Sequence, residues 1–304
     1  MDGDMRDKKL RTAAGADDAP PAPHFSEMTP AELAAAPTVY RDGLMEGQTA
    51  LISGAGSGMG RAMAFLFARL GANVAICGRR EEKLAETRDG IKAHIGRDIA
   101  YTPMSIRDPA RVEAFMEDAF DRFGPISVLI NSAGGQYSQN AIDFSRKGWE
   151  AVIDTNLNGT WWMMQEAAKR WRDARAPGNI INIVAHVERG MPQSAHTCAA
   201  RAGVIYLSKT VSTEWAEHDI RVNCIAPGAI KTEGVNHYPE DVLKDFHLAN
   251  PMKRFGDVWD IAETAVYLAA PSSKFVTGEV ITVDGGMAQH GWVWPGGKPD
   301  YFKE

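Results

Sequence analysis

The sequence encodes a single-domain α/β protein: a doubly wound parallel sheet of about seven strands with helices on both faces. Two patterns and one absence lead there. From Gln48 onward, short apolar runs alternate with helical stretches of ten or more residues, which is how parallel strands joined by helical crossovers read. The first run, TALIS, passes directly into a turn with glycines at Gly54, Gly58 and Gly60 and then into an amphipathic helix pattern. No composition break after residue 40 and no internal repeat divides the 304 residues into two units.

Taken in order, residues 1 to about 25 are rich in Ala, Pro and Asp and are expected to lack structure. Thr29-Pro30-Ala31-Glu32 is a capping box with proline at the first helical position, and Pro37 ends the helical stretch. A one- or two-turn helix is therefore expected within an N-terminal arm, residues 1–40, that is disordered or loosely packed on the domain of residues 41–290. In that domain the apolar runs Ala50–Ser53, Val74–Cys77, Ile99–Met104, Val128–Asn131, Ile180–Val184, Arg221–Ile225 and Val280–Val283 read as strands. Helical periodicity covers Arg61–Leu70, Glu81–His94, Pro109–Phe123, one long stretch Trp149–Trp171, then Ser194–Glu217 and Val258–Ala269.

The bulk numbers exclude several classes. A net charge of −6 with no Lys/Arg run argues against a nucleic-acid-binding face. Cys77, Cys198 and Cys224 are scattered, form no metal-ligand spacing and suit a reducing compartment. The charged N-terminal residues contain no apolar signal core, and no run reaches the roughly 18 apolar residues of a membrane span. A cytoplasmic location, with neither a membrane nor a nucleic acid as partner, is the expectation.

The glycine turn carries the first chemistry. Residues without side chains let a pyrophosphate approach backbone N–H groups at a helix N-terminus, where the dipole favours an anion. The spacing is Gly54-x-x-x-Gly58-x-Gly60 rather than G-x-G-x-x-G. Further on come Asn131-Ser132-Ala133-Gly134 after the fourth strand, Asn156 in TNLNGT, and Pro227-Gly228 with Thr232 downstream. These four motifs, in this order over residues 44 to 290, resemble the short-chain dehydrogenase/reductase family, whose pattern is TGxxxGxG, NNAG, an Asn on the long helix, and PG with a later Thr. Ser53 and Ser132 stand where the family has Thr and Asn. The resemblance implies a Rossmann-like sheet and a nicotinamide cofactor. It implies cofactor contacts at Gly54, Ser57, Gly58, Met59, Gly60, Ile106, Asn131, Ala133, Gly134, Gly228, Ile230 and Thr232, with Arg201 holding the nicotinamide ribose. At the end of the second strand, where an acidic residue would select NAD(H), the chain has Arg79-Arg80. A guanidinium there matches a 2′-phosphate in charge and fork geometry, so NADP(H) is the expected cofactor.

The helix after the fifth strand departs from the resemblance. Most of the family carries Tyr-x-x-x-Lys there and Ser at the end of the preceding strand. By register, this chain has Thr197, Arg201 and Ala185 at those positions. An aliphatic hydroxyl cannot replace a phenol as proton shuttle, and a guanidinium does not lose its proton. A hydride added to the β-carbon of an enoyl thioester leaves charge on the thioester oxygen, a reaction that needs donors at that oxygen more than a strong acid. The AHTCAARAGV segment resembles the peroxisomal trans-2-enoyl-CoA reductases, the 2,4-dienoyl-CoA reductases and the bacterial citronellol-type dehydrogenases. Three readings stay open: an NADP(H)-dependent enoyl-thioester reductase, a terpenoid alcohol/aldehyde dehydrogenase, and a cofactor-binding protein that transfers no hydride. The substrate is accordingly an acyl thioester or a hydrophobic alcohol or aldehyde.

Thr197, Arg201, Asn156 and His186 are the catalytic candidates, the last as proton donor because it follows strand five, about where the dienoyl-CoA reductases that the chain resembles place a displaced Tyr. No metal ligand set is expected. His196 lies one position off the Thr197/Arg201 helix face and reads as structural. Tyr137 reads as packing or a donor at the pocket mouth, and Cys198 as small-residue helix packing. The family's subunit contacts imply a homotetramer or homodimer, with Trp161 or Trp162 as interface anchors. Residues of about 233–255 correspond to the family's substrate lid. Residues 291–304 form an aromatic C-terminal tail with no Ser-Lys-Leu address.

Overall fold

In the computed structural model, residues 27–237, 243 and 246–290 are described. Seven strands, β1 (Thr49–Ser53), β2 (Asn73–Gly78), β3 (Ala100–Pro103), β4 (Val128–Asn131), β5 (Gly178–Ile183), β6 (Ile220–Pro227) and β7 (Val280–Val283), form one sheet. All pairings are parallel, in the order β3-β2-β1-β4-β5-β6-β7. The order reverses between β1 and β4. In a doubly wound sheet the loops leaving two such strands diverge to opposite faces and open a crevice at their carboxyl ends.

The helices arise from capping and periodicity. After α1 (Pro30–Ala35) come α2 (Gly58–Arg69), α3 (Glu81–Ile95), α4 (Pro109–Phe123), α5 (Arg146–Ile153), α6 (Gly159–Ala174), α7 (Ala195–Glu214), α8 (Val258–Ala269) and the short α9 (Met287–His290). Asp108 caps α4 through the Ala110 and Arg111 N–H groups, and Asp257 with Asp260 makes a reciprocal box on α8. Strand alternation divides the core. Ala50 and Ile52 face the layer of α2 and α8 with Phe65, Phe67 and Val266, while Leu51 faces the α4 and α6 layer with Met116, Met163 and Trp171. Trp171 is fully buried, and its indole N–H donates to the Ile126 carbonyl at 2.6 Å, so the ring fills the core without an unpaired donor.

Two differences from the sequence-based expectation matter for the site. The stretch Trp149–Trp171 is not one helix: Asp154–Asn158 is a π-helical turn between α5 and α6. That wide turn aims the Asn156 side chain at Gly135 and leaves its carbonyl to accept from Thr160 Oγ1 (3.1 Å) and Arg201 Nη1 (3.4 Å). Residues 27–40, part of the expected loose arm, are docked. The Thr29/Glu32 capping box is complete, Leu33 is 2% exposed, Trp259 Nε1 donates to the Pro37 carbonyl (2.7 Å) and Tyr40 Oη to the Glu263 carbonyl (2.9 Å). The expected lid falls partly on the 3-10 turns Glu233–His237 and Phe246–Ala249 and partly on residues outside the described set. Residues 1–26 of the arm and the tail 291–304 also lie outside it. Trp161 and Trp162 are half-buried, with Trp161 stacked on Trp215 at 6.1 Å. No described helix is long and apolar enough to cross a membrane.

Candidate active site

The crevice at the β1/β4 reversal is a cleft of about 360 Å³. Gly54, Ser57, Gly58, Met59, Gly60, Arg79, Arg80, Ile106, Ala133, Gly134 and Thr232 line it, all of them cofactor candidates from the sequence. A Cβ on Gly54 would lie 2.7 Å from Ala133, and one on Gly60 would run into the Gly54 carbonyl. The backbone can therefore turn this tightly only without side chains, which brings the N-terminus of α2 to the cleft. Ser53 Oγ accepts the Ser132 and Ala133 N–H groups, both at 3.2 Å, and ties the β4 loop to the glycine turn. Thr87 supports the turn from below by donating to the Ala55 carbonyl at 3.0 Å. Arg79 and Arg80 are exposed at one end, where Arg80 Nη2 donates to Ser57 Oγ at 3.3 Å.

Asn131, Arg201, Gly228 and Ile230, also cofactor candidates, do not line this cleft. Asn131 is buried and donates to Asn182 Oδ1 (2.9 Å), which relays to Ser208 Oγ (2.9 Å), so its side chain fixes the strand ends. Ile230 packs in the core beside Gly256, and Gly228 meets Asp284. Sequence reasoning missed Glu27, Lys83, Met104, Thr155 and Glu233, which also line the cleft. Only Lys83 carried a signal, since it comes one helical turn after Arg79-Arg80; the others arrive by tertiary folding.

Beyond Gly134 lie the catalytic candidates. Asn156 clamps Gly135 from both sides: its Oδ1 accepts the Gly135 N–H (3.0 Å) and its Nδ2 donates to the Gly135 carbonyl (2.9 Å). Arg201 is 8% exposed, and its Nη2 lies where a side chain on Gly134 would begin. Burial pushes its pKa down to about 10, Cys224 acts weakly the other way, and no described carboxylate pairs with it. It is a fixed cation whose countercharge the described protein does not provide.

Thr197 is buried, and its N–H donates to His196 Nδ1 at 2.7 Å while its hydroxyl lies 3.3 Å from the same nitrogen. The ring also hydrogen-bonds the Ser194 backbone, which opposes the effect of burial on its pKa. Burial pushes the His196 pKa below its ordinary value. The ring sits between Tyr137 (4.7 Å) and Phe144 (4.4 Å), so Tyr137 packs here, with its hydroxyl against Gly148. Ser138 Oγ donates to Gln193 Oε1 (2.7 Å) and Gln139 N–H to the Gln193 carbonyl (2.9 Å), joining the β4 and β5 loops at the mouth.

Unpaired polar atoms concentrate here. Both ring nitrogens of His186, Ser194 Oγ and His196 Nε2 are buried without a hydrogen-bond partner. Each such group costs about 1–3 kcal/mol, and all four belong to the β5–α7 connection and the first turn of α7. Burial raises the Cys198 thiol pKa, the opposite of what a nucleophile needs. Among the described residues no cluster of three metal-ligating side chains occurs.

A family described as enoyl-(acyl carrier protein) reductase matches residues 54–288. The chain is a short-chain dehydrogenase/reductase. As a member it is an oxidoreductase of a family that uses nicotinamide cofactors, and the side-chain-free cradle over α2 fits a dinucleotide's phosphates. A Bacillus subtilis relative named as a probable 2,4-dienoyl-CoA reductase is 36% identical over 248 residues, 80% of this chain and 97% of its own. The 3-oxoacyl-acyl-carrier-protein reductase FabG of Chlamydia trachomatis is 34% identical over 247 residues, 81% of this chain and 99% of its own. The solved structure of the citronellol catabolism dehydrogenase AtuB of Pseudomonas aeruginosa superposes with a TM-score of 0.74 at 33% identity, covering 83% of this short-chain dehydrogenase/reductase and 99% of AtuB.

Proposed function

We propose that this chain is an NADP(H)-dependent reductase of activated C=C bonds, acting on an enoyl thioester without the family's usual Ser, Tyr and Lys. The observation that carries the reading is the buried set at the start of α7: Thr197 in place of a phenol, an unpaired Arg201 cation, and imidazole atoms without partners. Arg79 and Arg80 at the cleft end favour NADP(H) by charge and geometry. NADPH supplies the hydride to the thioester's β-carbon when bound.

The chain's own residues do the rest. Charge gathering on the thioester oxygen calls for donors already in place, and the Thr197 hydroxyl, with the buried His196 ring beside it, is a donor of that kind. Arg201 holds a ribose and adds a fixed positive field, while Asn156 fixes the Gly134-Gly135 backbone. His186 is the proton donor to the α-carbon. The aromatic walls of Tyr137, Phe144 and His196 keep water from the mouth.

The same apolar mouth favours a second reading, oxidation of a hydrophobic terpenoid alcohol, which the likeness to AtuB supports. Loss of NADPH absorbance is the test, with crotonyl-CoA and longer enoyl-CoA esters on one panel and citronellol or geraniol with NADP⁺ at alkaline pH on the other. Turnover on the first panel is expected. No NADPH oxidation with any enoyl thioester rejects the first reading, and cofactor reduction on the second panel establishes the alternative.

A further inference from the structure

The docked arm brings a carboxylate to the place a dinucleotide's phosphates need. Glu27 Oε1 accepts the Gly58 N–H at 2.7 Å, and Gly58 is the first residue of α2. That N–H is one of the free donors at the positive end of a helix 12 residues long. The N-cap residue Ser57 makes no side-chain cap, so no other side chain takes its place. Glu27 Oε2 also lies 3.4 Å from Arg61 Nη1, and both side chains are largely buried, at 13% and 9% exposed. Glu27 lines the same cleft as Ser57, Arg80 and Thr232.

We propose that Glu27 is an internal competitor for the cofactor's phosphates: the arm rests its carboxylate on the α2 N-terminus, and a dinucleotide takes the anion site only by displacing it. The proposal rests on reading this cleft as the NADP(H) site. One N–H proton serves one anion well, and a carboxylate beside a pyrophosphate is a like-charge contact in a low-dielectric groove. Displacement is local. Met28 and Leu33 pack on the core, so the Glu27 side chain can leave Gly58 by rotating while α1 stays docked and Arg61 remains as its second partner.

The charged groups facing Glu27 are Arg61 on α2, Lys83 on α3 and Glu233 after β6. Burial raises its pKa, opposed by the Gly58 N–H, reinforced by Glu233, and opposed more weakly by Arg61 and Lys83. Protonation of Glu27 therefore starts at a higher pH than for an ordinary carboxyl group, and it removes the competing charge.

The test is equilibrium titration of the full-length protein with NADPH, NADH and ADP, followed by tryptophan fluorescence. Wild type is compared with Glu27→Gln, Glu27→Ala and the control Glu117→Gln on the outer face of α4. The Ala variant should bind all three probes about tenfold tighter, as expected if the carboxylate holds the site about nine-tenths of the time. The Gln variant should fall between Ala and wild type, and the control should match wild type. The gap between wild type and Ala should shrink from pH 8 to pH 5.5. Equal or weaker binding by Glu27→Ala, with an unchanged melting temperature, overturns the proposal alone. No dinucleotide binding by any of the proteins overturns the reading of the cleft as well.

Discussion

Replacing Asn156 by alanine removes both hydrogen bonds that hold Gly135, the 3.0 Å bond accepted by Oδ1 and the 2.9 Å bond donated by Nδ2. Each is worth about 0.5–1.5 kcal/mol net, so about 1–3 kcal/mol of stability should be lost. For a domain of this size that lowers Tm by about 2–10 °C. The functional loss should be larger than the stability loss, because Gly135 continues the Gly134 backbone against which Arg201 packs. Cofactor affinity should fall at least about tenfold, equivalent to one misplaced interaction of about 1.4 kcal/mol. Asn156→Asp separates the two effects. It keeps the acceptor for the Gly135 N–H but places a carboxylate next to Gly134 and the Arg201 guanidinium, where it neutralises the cation. Its Tm should stay nearer to wild type while its cofactor affinity falls. Thermal denaturation and NADPH titration of both variants are the assays. An Asn156→Ala protein that loses stability yet binds NADPH as tightly as wild type refutes the reasoning, since the clamp would then serve only the fold.

Other consequences are equally open to measurement. Arg79→Glu should reverse the cofactor preference, weakening NADPH at least about tenfold while sparing NADH; an unchanged Kd ratio rejects the 2′-phosphate assignment. Gly60→Ala drives a methyl into the Gly54 carbonyl, should cost about 1–3 kcal/mol and should abolish dinucleotide binding; normal titration curves would contradict this. The lowered His196 pKa means that, as pH falls through about 6.5, the unfolded chain takes up a proton that the folded chain refuses. Stability from that source is present above this range and is lost on acidification. His196→Asn, which keeps an acceptor near Nδ1, should flatten Tm against pH between 7 and 5, and an unaltered slope would count against the neutral buried imidazole.

How much of the fold and site is legible in the sequence depends on whether a residue's neighbours lie close along the chain. Strand and helix bounds come from periodicity, and Thr29/Glu32 and Gly60 act through partners a few positions away. That is why the sheet, the arm's helix and the phosphate turn can be read directly. The π-turn at Asn156 cannot, because a single wide turn shifts the apolar spacing by only one residue, too little to stand out in a helical pattern, and its contacts with Gly135 and Arg201 arise only on folding. Glu27 is equally hidden: nothing in its local sequence shows that α1 docks it over α2. The same holds for His196, whose helix-face geometry suggests a bystander until Tyr137 and Phe144 close around it.

The π-turn at Asp154–Asn158 has a further implication, for the length of the chain. A wide turn accommodates one residue more than an α-helix of the same rise, and each residue of an α-helix turns the chain by about 100°. Deleting one position here would leave a smooth α-helix that keeps Met163, Met164 and Trp171 on the sheet, because four α-helical residues turn the chain about as far as the wide turn does; what it would remove is the turn that aims Asn156 at Gly135. The extra residue between α5 and α6 is thus itself inherited information, and its deletion should cost the site more than the fold.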